Sequence, residues 1–322
     1  MKQLKIAVLM GGPSAERPVS LRSGAAVVNA LTATGAKVVP VDIRGTELVL
    51  PAGVDVAFIA LHGTFGEDGT VQQMLEDAGV PYTGSGPEAS ACAFDKIAAK
   101  ARLEAVGILT PAYEVVDRAR CDIARLTRLG FPLVIKPARQ GSSVGVSIVK
   151  EEPELEAACQ LGWQHDDHLV AERYVAGREL TVGIFDKRAL PVIEIRPRHG
   201  FFTYEDKYTK GQTDYLVPAP LEGNLEARTK TLALRTHDCL GCRDFSRVDL
   251  IMADDGSLSV LELNTIPGLT ETSLVPKAAQ AAGMSFQELC ARLVQMALAR
   301  RISSMGIPTA TSETEAETAT VS

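Results

Sequence analysis

Ser246-Arg-Val-Asp-Leu-Ile-Met252 and Leu258-Ser-Val-Leu-Glu-Leu263, followed by Asn264, are the stretch from which the rest of the chain is read. Val248, Leu250, Leu261 and Leu263 alternate with polar residues, as a half-buried strand requires. Asp254-Asp255-Gly256 between the two runs predicts the turn of a hairpin. Residues two apart on a strand share a face, so Asp249, Glu262 and Asn264 are expected to converge as oxygen ligands with Arg247 beside them. Such hard donors, few from protein and the rest from water and phosphate, suit Mg²⁺. A solvated strand face with chance acids would lack the alternating apolar partners.

Outward from this hairpin the chain changes texture twice. The first ~90 residues alternate strand and helix, with strands at Lys5–Met10, Lys37–Ile43 and Val54–Leu61 and helices at Ser20–Thr34 and Gly69–Ala78. That order implies a parallel sheet with crossovers, whose ligands lie beyond the carboxyl ends of the strands. Gly11–Arg17 and His62–Gly69 fall there. From about Phe94 a small α+β unit is expected: helices at Asp95–Val106 and Pro153–Gln164, and strands at Pro132–Pro137, Val146–Val149 and Leu169–Val175. After Glu179 come long strands (Leu180–Phe185, Leu190–Pro197), a polar loop Tyr204–Tyr215, a helix Leu225–Leu240 and a last helix Ser285–Arg301. Ser303–Ser322, with hardly any large apolar residue, is expected to be disordered. The division is therefore 1–93, 94–178 and 179–302, with a tail at 303–322.

Lys136 follows Leu133-Val134-Ile135 and precedes Gly141-Ser-Ser-Val-Gly145, a turn able to offer backbone N–H groups to phosphate, with the lysine supplying charge. The Gly-x-x-x-x-Gly-Lys-Ser/Thr order of a Walker loop is missing, as is the third glycine of a dinucleotide fingerprint at Gly11-Gly12. Lys96, opening a helix, reads alone as an ordinary exposed lysine. Glu172 and Glu179 flank Tyr174-Val-Ala-Gly177; backbone there could pair with an adenine edge and an acid could take a ribose hydroxyl. Glu16 lies where a carboxylate could meet a substrate ammonium, although alone it reads equally as a capping or surface acid.

The net charge of −7, with no basic stripe, excludes a nucleic-acid surface. No apolar run approaches the roughly 18–20 residues needed to span a bilayer. Ile6–Met10 is too short for a signal peptide and reads as a buried strand, so a cytoplasmic protein is expected. Of the six cysteines only Cys239 and Cys242 are close in sequence, and no second pair completes a zinc site.

Taken together the segments resemble the D-alanine–D-alanine ligase family of the ATP-grasp superfamily. The matching stretches are MGGPSAERPVSLRSG (10–24), ALHGTFGEDGTVQ (60–72), PYTGSG (81–86), FDK (94–96), VIKPARQGSSVGVS (134–147), YEDKYTKGQTDY (204–215), SRVDL (246–250) and LELNTIPGLTETSLVP (261–276). The resemblance implies a three-domain fold, an N-terminal parallel-sheet domain carrying the first D-alanine, and ATP held between the central and C-terminal domains. It implies that Glu16 holds the ammonium of the first D-alanine, with Val19 and His62 lining that subsite. Lys96, Lys136, Ser142 and Ser143 would grip the phosphates. Glu172, Arg173, Tyr174, Val175 and Glu179 would bind adenosine, with Phe201, Ile251 and Leu261 packing on the base. Lys207 would reach the phosphates and Tyr208 close over the dipeptide. Arg247 and the backbone of Gly268 would face the oxyanion, Asp249, Glu262 and Asn264 would hold two Mg²⁺ (or Mn²⁺), and Ser273 and Leu274 would hold the second D-alanine. Glu16, Ser142, Tyr208, Arg247 and Gly268 are thus the catalytic candidates. A homodimer is implied too. Relatives using D-lactate or D-serine are the alternative, and Tyr208 speaks against lactate. Pro18, Gln140 and Ile266 depart from the family pattern.

Overall fold

The computed structural model describes residues 1, 3–197 and 213–304. The expected roles of Phe201, Lys207 and Tyr208, and all of the tail beyond Ser304, lie outside them.

Ile6, Ala7, Val8 and Leu9 of β1 (Lys5–Gly11) have no exposed surface, which places this strand at the centre of a sheet covered on both faces. β2 (Lys37–Ile43) and β3 (Val56–Ile59) flank it in parallel, in the order β2-β1-β3. α1 (Arg17–Thr32) supplies Val27 and Leu31 to the face of Ile6 and Val8, while α2 (Thr70–Asp77) supplies Val71 and Leu75 to that of Ala7 and Leu9. α1 starts three residues before the expected Ser20. Pro18 sits in its first turn, where a missing N–H costs nothing.

α3 (Pro87–Phe94) leads to α4 (Lys96–Ala105), whose N-cap Asp95 accepts from the N–H groups of Ile97 and Ala98. The next unit holds β4 (Tyr113–Asp117), α5 (Ile123–Thr127), β5 (Leu133–Pro137), β6 (Ser147–Val149), α6 (Leu155–Gly162) and β7 (His168–Arg173). Its strands form an antiparallel sheet in the order β4-β7-β5-β6. The expected helix from Pro153 starts at Leu155, and the strand expected to reach Val175 ends at Arg173.

The largest sheet contains β8 (Arg178–Phe185), β9 (Arg188–Ala189), β10 (Ile193–Pro197), β11 (Thr213–Leu216), β12 (Phe245–Met252) and β13 (Leu258–Asn264). Its order is β11-β10-β8-β12-β13, with β9 paired on β8. The strand expected over Leu190–Pro197 begins only at Ile193, and β9 precedes it. β9 belongs to a tight turn through Asp186 and Lys187, both at positive φ, and Pro191 has no N–H to continue a ladder. The end of the expected polar loop is β11. α7 (Leu225–Cys239) and α4 cover one face of this sheet, and α8 (Leu274–Ala281) packs against β8. α9 (Phe286–Ser304) returns to the first sheet, where Leu289, Leu293, Val294 and Ala297 join Val27 and Leu31 in one buried cluster.

Candidate active site

On the predicted hairpin the register sets Asp249 opposite Glu262 and Arg247 opposite Asn264, with a bulge directly after Asp249. Arg247 and Asp249 are neighbours on one face, and the guanidinium grips the carboxylate in a fork: Nε to Oδ1 at 2.9 Å and Nη2 to Oδ2 at 2.6 Å. Thr181 of β8 donates to the same Oδ1 at 2.6 Å. Burial works against the charge of Arg247, but Asp249, Glu262 and Glu67 more than offset it and raise its pKa. Asn264 Oδ1 accepts the N–H of Ile266, starting the loop that leads to Ser273. Ile266, unusual for the pattern, is simply buried. Glu262 Oε2 lies 3.7 Å from Lys96 Nζ, whose ammonium also donates to the carbonyl of Gln140 at 2.6 Å.

Lys136, at the end of β5, is buried with its Nζ 2.7 Å from Glu172 Oε1. A second lysine reaches that oxygen: Lys100 of α4, at 2.9 Å. Glu172 is therefore not an unengaged acid waiting for a ribose hydroxyl, as its position beside Tyr174 suggests. It is a buried anion shared by two ammonium groups, which is how such a charge can be kept out of water. Lys100 is itself almost fully buried. Burial, with Lys136 nearby, lowers its pKa to about 8 although Glu172 opposes the shift. Beyond Lys136, Ser142 and Ser143 have φ of 50° and 59°, successive left-handed residues of the sort that gather N–H groups into an anion-binding concavity. Ser142 donates its hydroxyl to Glu16 Oε1.

Glu16 occupies the N-cap position of α1, at the carboxyl edge of the first sheet. Ser14 fixes its loop by accepting from Glu16 N–H and donating to His62 O at 2.6 Å; Arg17 anchors the far side through a fork to Asp42. His62 is buried, with Nε2 3.0 Å from Ser23 Oγ and Nδ1 3.5 Å from Glu67 Oε1. Burial raises the pKa of Glu67, Glu16 adding to the effect and His62 opposing it. At the other rim, Gly268 lies in the loop before α8 and Ser273 is the N-cap residue of that helix, its Oγ 2.8 Å from Thr270 Oγ1.

All these groups border one cavity of about 1110 Å³. Its lining includes Glu16, Val19 and His62; Lys96, Lys136, Ser142 and Ser143; Glu172, Arg173, Tyr174, Val175, Glu179, Ile251 and Leu261; Arg247, Asp249, Glu262 and Asn264; and Gly268, Ser273 and Leu274. Thus every expected site residue among those described faces the same space. Sequence reasoning missed Glu67, Lys100 and Thr181. Glu67 was visible only as part of the 60–72 segment, whereas nothing in one sequence brings Thr181 to Asp249 or Lys100 to Glu172.

Family models of the D-ala D-ala ligase N-terminus and C-terminus match residues 44–85 and 103–295. A D-alanine–D-alanine ligase of Syntrophotalea carbinolica is 50% identical over 304 residues, spanning 94% of this chain and 98% of that protein. One from Pelobacter propionicus is 48% identical, over 91% and 96%. Among solved structures, a D-alanine–D-alanine ligase from Bacillus anthracis complexed with ATP superposes with a TM-score of 0.84 at 35% identity, over 94% of this chain and 99% of that one. The VanG D-Ala:D-Ser ligase from Enterococcus faecalis gives 0.82 at 30%, over 92% and 100%. With the cavity, the three sheets and these likenesses in agreement, the chain belongs to the D-alanine–D-alanine ligase family.

Proposed function

We propose that the protein uses ATP to join two D-alanine molecules into D-alanyl-D-alanine for peptidoglycan precursors. The observation that carries this reading is the meeting, in one cavity, of Glu16 and His62 from the first sheet, the Lys136–Ser143 turn from the second, and Arg247, Asp249, Glu262 and Asn264 from the third.

In this reading Glu16 pairs with the ammonium of the first D-alanine and turns its carboxylate toward the γ-phosphate. Lys96, Lys136 and the turn at Ser142 and Ser143 hold the phosphates, which favours in-line transfer to that carboxylate and gives an acyl phosphate. Ser273 and Leu274, at the start of α8, hold the carboxylate of the second D-alanine, where helix N–H groups favour an anion. Its free amine attacks the acyl carbon, and Arg247 with the Gly268 N–H stabilises the oxyanion before phosphate leaves. Tyr174, Val175, Glu179, Ile251 and Leu261 surround adenosine. By the family pattern Phe201 would pack on the base, and Lys207 and Tyr208 would act on the phosphates and the dipeptide.

Asp249, Glu262 and Asn264 offer the hard oxygen atoms that Mg²⁺ or Mn²⁺ prefers. The set is two carboxylates and one carboxamide, and among the described residues no cluster of three His, Cys, Asp or Glu side chains is placed for a metal. Such ions, when bound, would neutralise charge on the transferring phosphoryl group. The three sheets support division at 1–93, 94–178 and 179–302, although α4 packs on the third sheet and α9 back on the first. Among the described residues no helix is long and apolar enough to cross a membrane. A cytoplasmic homodimer is part of the proposal.

Phosphate release from ATP, with D-alanine, D-serine or D-lactate added alone and with D-serine or D-lactate added beside D-alanine, tests it. D-Alanine should stimulate release and yield the dipeptide. Release with D-lactate or D-serine only as partner of D-alanine would instead support the variant specificity.

A further inference from the structure

Ser23 is fully buried on α1, and its hydroxyl stands between two parts of the cavity drawn from opposite ends of the chain. Leu269 N–H donates to Ser23 Oγ at 3.3 Å, across 246 positions of sequence. His62 Nε2 lies 3.0 Å from the same oxygen. The neighbouring Ser20 is different: it accepts from Gly11 and donates to Ala60, so both its bonds stay within the first sheet.

The direction of the Ser23 bonds follows from chemistry. A backbone N–H can only donate, so Ser23 Oγ is the acceptor toward Leu269 and its own proton must go elsewhere. Among the described residues His62 Nε2 is the remaining partner of that oxygen. A buried hydroxyl left without an acceptor is costly, so the proton points to Nε2. Nε2 is then the unprotonated ring nitrogen, and Nδ1 carries the proton that faces Glu67 Oε1 at 3.5 Å. The chain runs one way: Leu269 N–H, Ser23 O–H, the His62 ring, the Glu67 carboxylate. Gly268, the residue before Leu269, and both His62 and Glu67 border the cavity.

We infer that Ser23 is a positioning residue, one hydroxyl setting the tautomer of His62 and holding the Gly268–Leu269 loop in register with it. This rests on the ligase reading, in which His62 lines the first D-alanine subsite and Gly268 faces the oxyanion. Ser23 touches neither substrate. It joins the group that receives the first substrate to the backbone that stabilises its transition state, and small displacements there are costly to rate.

The test is Ser23→Ala, which removes the hydroxyl without adding bulk. Nitrogen-15 NMR of histidine-labelled protein reads the His62 tautomer, and steady-state kinetics reads kcat/KM for D-alanine and KM for ATP separately. In the wild type His62 should show a protonated Nδ1 and an unprotonated Nε2. Ser23→Ala should mix the tautomers and lower kcat/KM for D-alanine about tenfold, the effect of one lost hydrogen bond. KM for ATP should be unchanged, which a general loss of packing would not spare. A proton on Nε2 in the wild type, or wild-type kinetics with D-alanine in Ser23→Ala, overturns the inference. A wild-type protein inert toward D-alanine would overturn the ligase reading instead, while the NMR result would still decide the bond chain.

Discussion

The hydroxyl of Ser142 donates to the carboxylate of Glu16, 126 positions earlier in the chain. One residue belongs to the glycine-rich turn beyond β5 and the other caps α1 on the parallel sheet. The bond therefore closes the cavity between two separately built units. It also sets the groups proposed for phosphate and for the first ammonium side by side, as phosphoryl transfer from ATP to the carboxylate of that D-alanine needs.

Glu16→Gln keeps an amide oxygen that can accept from Ser142 but removes the negative charge. Loss of one partner of such a charge pair commonly costs a few kcal/mol. Affinity for the first D-alanine should fall by roughly ten- to a thousand-fold, while ATP affinity stays nearly constant. Titrations of each D-alanine site, with nucleotide binding followed independently, check this. An equal loss of ATP binding would make Glu16 a structural residue.

Glu262→Gln retains shape and one carbonyl oxygen yet loses the anionic donor facing Asp249. Turnover should be abolished across a titration of Mg²⁺ or Mn²⁺, with the thermal midpoint preserved because Glu262 is only partly buried. Near-wild-type phosphate release at saturating Mg²⁺ would remove Glu262 from the proposed metal set.

Gly177 joins β7 to β8 where the chain passes the end of β12. A Cβ there would lie 2.1 Å from the carbonyl oxygen of Met252 and 3.1 Å from Cα of Ala253. Both are backbone atoms that cannot rotate away, so Gly177→Ala should destabilise the protein by about 1–3 kcal/mol. Because Tyr174 and Val175 are on the same connection, ATP affinity should drop as well. Urea unfolding and nucleotide titration measure the two effects. An unaltered midpoint would show that the junction yields freely.

His237 predicts a pH dependence of stability. It is buried with Nδ1 2.7 Å from Ser246 Oγ, and burial lowers its pKa from 6.5 to about 4, only partly opposed by Asp238. Between those values the unfolded chain binds the proton more readily. Stability is thus intact above pH 6.5 and is lost as pH falls toward 4. The loss between pH 7 and pH 5 should be about 2 kcal/mol from this residue. Unfolding free energies of wild type and His237→Asn at both pH values test it, the variant being expected to show the flatter response.

Much of the local structure was legible in the sequence because local physics determines it. Alternating apolar residues and Asp-Asp-Gly specify the β12–β13 hairpin, but regular pairing from that turn would set Asp249 opposite Leu261, and only the bulge after Asp249 brings Glu262 across from it. The uninterrupted Ile6–Leu9 run indicates a strand covered on both sides. The Gly-Ser-Ser turn after Lys136 signals an anion-binding backbone. Tertiary structure decided the rest. Glu172 reads as an acid beside an adenosine-binding junction until Lys100 and Lys136, from two other elements, enclose it. Leu289 and Leu293 mark only an amphipathic helix; folding sends them to the first sheet. Ser23 is one small polar residue of α1 until Leu269 arrives from 246 positions away. Periodicity and turn chemistry act over a few residues, whereas a buried charge or hydroxyl is defined by whichever partner satisfies it, and that partner is chosen by packing.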